Sequence, residues 1–129
     1  MSRADWKAGL APGLASLGAA LPPGGETSLL RYVELLLQWN KAYNLTSIRD
    51  PEEMLTKHVL DSLSILPFVD ASPVLDVGSG AGLPGIPLAV ARPDLKFTLL
   101  DSNGKKTRFM THAAAALTLK NVDVVQARA

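Results

Sequence analysis

The stretch Val74-Leu75-Asp76-Val77-Gly78-Ser79-Gly80-Ala81-Gly82-Leu83-Pro84-Gly85 constrains this chain more than any other. It reads as a short apolar strand, a glycine loop and the start of a helix. Glycines suit such a loop because a side chain would block close approach of a ligand, and because some positions need positive φ. The following helix turns unpaired N–H groups and a positive dipole end toward whatever sits there. A second apolar run, Phe97-Thr98-Leu99-Leu100-Asp101, also ends on an acid. A carboxylate at that place can accept hydrogen bonds from the two hydroxyls of a ribose. Together these features describe one half of a nucleoside-cofactor site.

Two registers of the glycines compete. Gly80-x-Gly82-x-x-Gly85 fits the dinucleotide fingerprint, with Asp101 about 20 residues further on. Asp76-x-Gly78-x-Gly80-x-Gly82 instead places an acid inside the strand and glycines at alternate positions. This second pattern resembles motif I of the class I S-adenosylmethionine (AdoMet) methyltransferases. The ligand's charge separates the two. A dinucleotide lays an anionic pyrophosphate over the loop, whereas AdoMet carries a cationic sulfonium and an α-amino group, which favour a carboxylate such as Asp76. The acid's position selects the AdoMet register and disfavours an NAD-dependent oxidoreductase.

The remainder of the chain sets this loop in an α/β frame. At 129 residues and 47% hydrophobic, the chain can bury a core. A net charge of +1 argues neither for nor against nucleic acid. The absence of cysteine excludes disulfides, thiolate metal sites and a cysteine nucleophile. His58 and His112 have no metal-ligand spacing. Residues 8–21 imitate a signal peptide only loosely, with Asp5, Pro12 and several glycines against it, so a cytoplasmic protein is expected.

Residues 1–72 read as an N-terminal helical region. A poor helix over about residues 4–21 precedes a Pro22-Pro23-Gly24-Gly25 break. An amphipathic helix over about residues 28–41 carries Leu29, Leu30, Val33, Leu36 and Leu37 on one stripe. Asp50-Pro51-Glu52-Glu53 is a helix start, and that helix turns Leu55, Val59, Leu63 and Leu66 inward, ending before Pro67. From residue 73 the pattern alternates: strands at 74–77, 97–101 and 122–126, helices at 84–92 and 105–119. The second helix has Phe109, Met110, Ala113, Ala116 and Leu117 on its stripe. Such alternation implies a parallel sheet covered on both faces, in the order three, two, one. Residues 73–129 therefore read as a truncated AdoMet-binding, Rossmann-like domain, with one edge of the first strand lacking a partner.

A family resemblance runs from about Leu29 to the last residue. Trp39-Asn40-Lys41-Ala42-Tyr43-Asn44-Leu45-Thr46, His58-Val59-Leu60-Asp61-Ser62, the loop from Asp76 through Pro87, and Leu99-Leu100-Asp101-Ser102 resemble the glucose-inhibited division protein B family. Its members are bacterial 16S ribosomal RNA guanine-N7 methyltransferases. The resemblance implies an N-terminal helical cap followed by the first half of a class I AdoMet methyltransferase sheet. It implies AdoMet as cofactor, small-subunit ribosomal RNA as partner, and a monomeric full-length protein. It assigns Gly78, Gly80, Gly82, Leu83, Asp101 and Ala129 to the cofactor. Gly78 and Leu83 would line the methionine and sulfonium end, Asp101 would hold the ribose, and Ala129 would begin the loop against the adenine.

No catalytic side chain is expected, because guanine N7 keeps a free lone pair and the methyl donor is already activated. Placement and exclusion of water would suffice. Arg31, Lys41, Arg49, Lys57, Lys105, Lys106 and Arg108 are candidate RNA-facing groups, each with a solvated helix face as its plain alternative. Trp39 and Tyr43 read as helix-end core, His58 as a packed histidine, and Asp61 as an acid that bridges to a loop or faces solvent. The family pattern continues beyond this point, so an incomplete, weakly binding or inactive fragment that self-associates through its bare strand edge is expected. The rival reading is a non-catalytic AdoMet- or RNA-binding module.

Overall fold

The computed structural model describes residues 6–128. Helix α1 spans Leu10–Leu17 and buries Leu10 and Leu14. It is shorter than expected because Gly18 takes the left-handed conformation (φ 65°) and closes the helix. Residues 4 and 5 of the expected helix lie outside the described residues. Helix α2 spans Gly25–Tyr43, starting three residues before the expected 28 and ending with Asn44 in the left-handed region. Its buried face is wider than the expected stripe: Tyr32 and Leu35 are buried, while Leu30 and Leu37 are only half-buried. The reason is that α2 packs against several other helices at once.

The next helical segment, α3, occupies residues 51–63. Asp50 caps it, accepting the Glu53 N–H at 3.1 Å, with Pro51 in the first turn. Its centre, Met54–Leu60, is π-helical. Leu55, Val59 and Leu63 are buried as expected, but the helix stops at Leu63, and Leu66–Phe68 forms a separate 3-10 turn around Pro67.

The sheet contains β1 (Val74–Val77), β2 (Phe97–Asp101) and β3 (Val122–Gln126), at the expected positions. All pairing is parallel, in the order β1-β2-β3. Val74 pairs with Phe97 and Phe97 with Val122. Helices α4 (Gly85–Ala91) and α5 (Gly104–Ala116) make the crossovers. On α5, Ala114 is buried where Ala116 was expected, and Thr118 at positive φ ends the helical run early.

One expectation is corrected here: among the described residues, helices cover one face of the sheet and not both. Phe97 and Leu99 are buried against the helices, with Val74, Val122 and Val124 partly buried beside them. On the other face Leu75, Val77 and Val125 are exposed, Leu75 by 60%. Two right-handed crossovers that step in the same direction put both helices on the same side of a sheet.

The core is continuous. Trp6, Leu29, Leu36, Met54 and Leu63 of the helical part belong to one cluster with Ile86, Phe97, Leu99 and Phe109. Each such side chain contributes about 1.5–3 kcal/mol by leaving water. The glycine loop therefore rests on a packed floor.

Candidate functional site

The loop after β1 is shaped by hydrogen bonds that meet from three directions. Gly78 and Ser79 donate their N–H groups to the Leu100 carbonyl, at 2.7 and 3.2 Å. This locks the loop to the end of β2. Asp76 Oδ2 accepts the Gly85 N–H at 3.0 Å and so holds the first turn of α4. Asp101 Oδ2 accepts the Gly80 N–H at 3.0 Å, and its Oδ1 accepts the Asn103 N–H at 2.8 Å. The Tyr32 hydroxyl of α2 donates to the Ala81 carbonyl at 2.6 Å, in a buried position.

The glycines divide into two groups. At Gly78 (φ 75°) and Gly80 (φ 59°) an added Cβ would meet nothing within 4 Å. The left-handed backbone demands glycine there, and the space in front is open to a ligand. At Gly82 and Gly85 a Cβ would run into Ile86 and Leu99 respectively. Gly82, itself left-handed (φ 91°), lets the loop lie close to α4, and Gly85 lets α4 lie close to β2. The open side of the loop thus leaves room for a ligand beside the backbone of Gly78 and Gly80.

Asp76 is half-buried, and burial raises its carboxyl pKa above the usual value. The Gly85 N–H and the Ser79 hydroxyl oppose that rise. The carboxylate is the acidic group of β1 nearest the loop, and as an anion it can meet a cationic group. Asp101 has one backbone N–H on each oxygen, and each oxygen keeps a lone pair for a hydroxyl. Leu83 lies half-buried beside this loop, where its peptide to Pro84 is cis. Ala129 lies outside the described residues.

Two contributors escaped the sequence reading. Tyr32 sits on α2 one residue before Val33, and no periodicity marks a tyrosine whose hydroxyl reaches another element. Asn103 accepts the N–H groups of Lys105 and Lys106 at 2.9 and 3.1 Å and caps α5. An asparagine ahead of an expected helix was a usable signal. This cap relieves the poor fit of two lysines with the helix dipole.

A second cluster lies beside Leu83 and Pro84. His58, on the π-helical stretch, shares a 2.8 Å hydrogen bond between Nε2 and the Thr46 hydroxyl. Thr46 in turn donates its N–H to Asn40 Oδ1 at 2.9 Å. Burial lowers the His58 pKa, against the Lys57 carbonyl and the charge of Asp61. Asp61 is exposed, and its carboxylate accepts no hydrogen bond among the described residues. It does not bridge to a loop, which corrects one of its two expected roles. His58 and Asp61, with Lys57, Ser62, Ile65 and the Leu83–Pro84 pair, line a cleft of about 320 Å³.

Among the expected RNA-facing cations, Arg49 is tied to Asn44 Oδ1 at 2.5 Å and Lys57 to Glu53 at 3.3 Å. Lys105 lies 5.9 Å from the Tyr43 ring centroid. Tyr43 is 42% exposed and stacks on Trp39, so it is a surface ring rather than core. Trp39 also contacts Phe109 and His112. Among the described residues no helix is long and apolar enough to cross a membrane.

Comparison with known proteins agrees with this geometry. A family model described as rRNA small subunit methyltransferase G (GidB) matches residues 26–129. Similar curated proteins bear the name ribosomal RNA small subunit methyltransferase G. The protein of Alkalilimnicola ehrlichii is 60% identical over 116 residues, covering 90% of this chain and 53% of its own length. That of Pseudomonas syringae pv. syringae is 52% identical over 120 residues, covering 93% and 56%. That of Marinobacter nauticus is 51% identical over 129 residues, covering 100% and 60%. The chain spans somewhat more than half the length of these relatives. On a match that takes in α2, α3, the glycine loop and the whole three-stranded sheet, the chain belongs to the GidB family of small-subunit rRNA methyltransferases.

Proposed function

We propose that the protein carrying this chain transfers a methyl group from AdoMet to N7 of a guanine in small-subunit ribosomal RNA, in the cytoplasm. The observation that carries the reading is the pairing of open space at Gly78 and Gly80 with two carboxylates at the strand ends. The names of the relatives point to the same RNA.

AdoMet supplies an activated methyl group when bound. The chain's own residues do the placing. Gly78 and Gly80 let the backbone approach the methionine end, while the Asp76 carboxylate supplies negative charge for a cationic group. Asp101 offers its remaining lone pairs to the ribose hydroxyls. Guanine N7 needs no base to free its lone pair, so alignment and water exclusion are the chemical tasks. The chain supplies the loop and the ribose acid. The adenine wall is expected to begin at Ala129.

The test is incubation of the full gene product with radiolabelled AdoMet and small ribosomal subunits, with the modified base mapped. Label in N7 of a single guanine is the expected result. Calorimetry with AdoMet against NAD separates this reading from a dinucleotide enzyme. AdoMet binding without transfer would favour a non-catalytic module.

A further inference from the structure

The cleft beside the loop has a chemistry that methyl-donor binding does not use. Its walls at Ile65, Leu83 and Pro84 are apolar, and its polar groups come from α3. At about 320 Å³ it lies at the small end of ligand pockets, which run roughly 300–1,000 Å³. Leu83 joins it directly to the glycine loop, being next to Gly82.

The polar groups are unequally committed. His58 Nε2 is engaged with the Thr46 hydroxyl, and the Ser62 hydroxyl donates to the His58 carbonyl at 2.5 Å. Lys57 is paired with Glu53. Asp61 alone among these side chains has no hydrogen-bond partner within the described residues. A free carboxylate repels phosphate and asks for two adjacent N–H donors. Of the four RNA bases, only guanine presents two donors side by side, N1–H and the 2-amino group. Apolar walls that flank such a carboxylate suit the faces of a base swung out of its stack.

We propose that Asp61 is the specificity-determining residue for the target base, gripping the N1–H and 2-amino edge of a guanine held between Ile65 and the Leu83–Pro84 turn. This rests on the reading of RNA methyl transfer given above. With that edge held, the opposite edge bearing N7 is the one left free. The π-helical stretch Met54–Leu60 directly precedes Asp61 and sets where it projects, as such stretches often do at functional sites.

The experiment compares two RNAs in the full gene product. Small subunits are reconstituted with guanosine or inosine at the methylated position. Inosine keeps N7 and N1–H but lacks the 2-amino group. The wild type is expected to show kcat/KM lower by roughly tenfold or more on inosine, the effect of one lost hydrogen bond to a charged acceptor. Asp61→Ala should act on both RNAs at one low rate, with AdoMet affinity by calorimetry and the thermal midpoint unchanged. Asp61→Leu, of similar size and with no acceptor, should lose the discrimination too. Equal wild-type rates on both RNAs would overturn the proposal, as would discrimination retained in either variant. Wild-type transfer to neither RNA, with AdoMet still bound, would overturn the functional reading and this proposal with it.

Discussion

Asp101 Oδ2 lies 3.0 Å from the Gly80 nitrogen, so the acid at the end of β2 holds the glycine loop after β1 in place. The shape of the loop therefore depends on the carboxylate that we propose holds the ribose. Asp101→Ala should weaken AdoMet binding by about 1.5–3 kcal/mol in the full-length protein, the range for a charge-assisted hydrogen bond. Gly80→Val should do worse, because φ 59° is strained for a branched residue and its methyls would fill open ligand space. Calorimetry on both variants decides, and unchanged dissociation constants would remove Asp101 from the site.

Asp76 permits a separation of stability from binding. Its carboxyl pKa is raised chiefly by burial, so the charged form costs folding free energy at neutral pH. Asn at this position can still accept the Gly85 N–H. Asp76→Asn is expected to leave the thermal midpoint unchanged or higher while AdoMet affinity falls. Parallel melting and calorimetry on the same preparation would show the split. A fall in stability alongside full affinity would reverse the assignment.

Tyr32→Phe removes one hydroxyl and leaves the buried Ala81 carbonyl without its 2.6 Å donor. The expected loss is about 1–3 kcal/mol of stability. Because that carbonyl belongs to the glycine loop, AdoMet affinity should drop in the same variant. A normal dissociation constant in a destabilised protein would limit the tyrosine to a packing role.

His58 gives the fold a defined acid response. Burial is the main reason its pKa falls below 6.5, so the unfolded chain binds the proton more readily than the native one. Its contribution to stability is intact above pH 6.5 and is lost as pH falls through that value toward the depressed native one. The thermal midpoint should fall between about pH 7.5 and about pH 5.5, and His58→Gln should reduce that fall. An identical pH dependence in the variant would exonerate the histidine.

The bare sheet face predicts association of the isolated 1–129 polypeptide. Leu75, Val77 and Val125 are exposed together, and β1 pairs with β2 alone among the described strands. Such a surface is a template for pairing. Sedimentation should show concentration-dependent oligomers, and Leu75→Lys with Val77→Lys should shift them toward monomer. A wild-type polypeptide that stays monomeric at high concentration would contradict this.

The three strands and both crossovers were legible because apolar runs between glycine and proline breaks leave few alternatives. That the glycine loop meets Asp76 and Asp101 was legible because parallel β1 and β2 end on the same side of the sheet. The division of labour among the glycines was not. Gly82 and Gly85 look like Gly78 and Gly80 in the sequence, and only the positions of Ile86 and Leu99 distinguish them. Tyr32 was missed and Tyr43 misjudged for a related reason. Helical periodicity ranks faces by hydrophobicity, while the neighbours that bury one ring and leave the other in water come from distant parts of the chain.

The π-helical stretch bears on changes of chain length. A π turn accommodates an extra residue within an otherwise regular helix. Val59 and Leu63 now share a buried face, and Asp61 projects beside it into the cleft. Deleting one residue between Met54 and Leu60 would let this stretch relax to ordinary α turns while Leu63 and Asp61 keep their facing. A residue added among ordinary α turns just before Asp61 would instead rotate everything after it by about 100°. Leu63 would then leave the core, or Asp61 the cleft, so this helix tolerates the loss of a residue better than the gain of one.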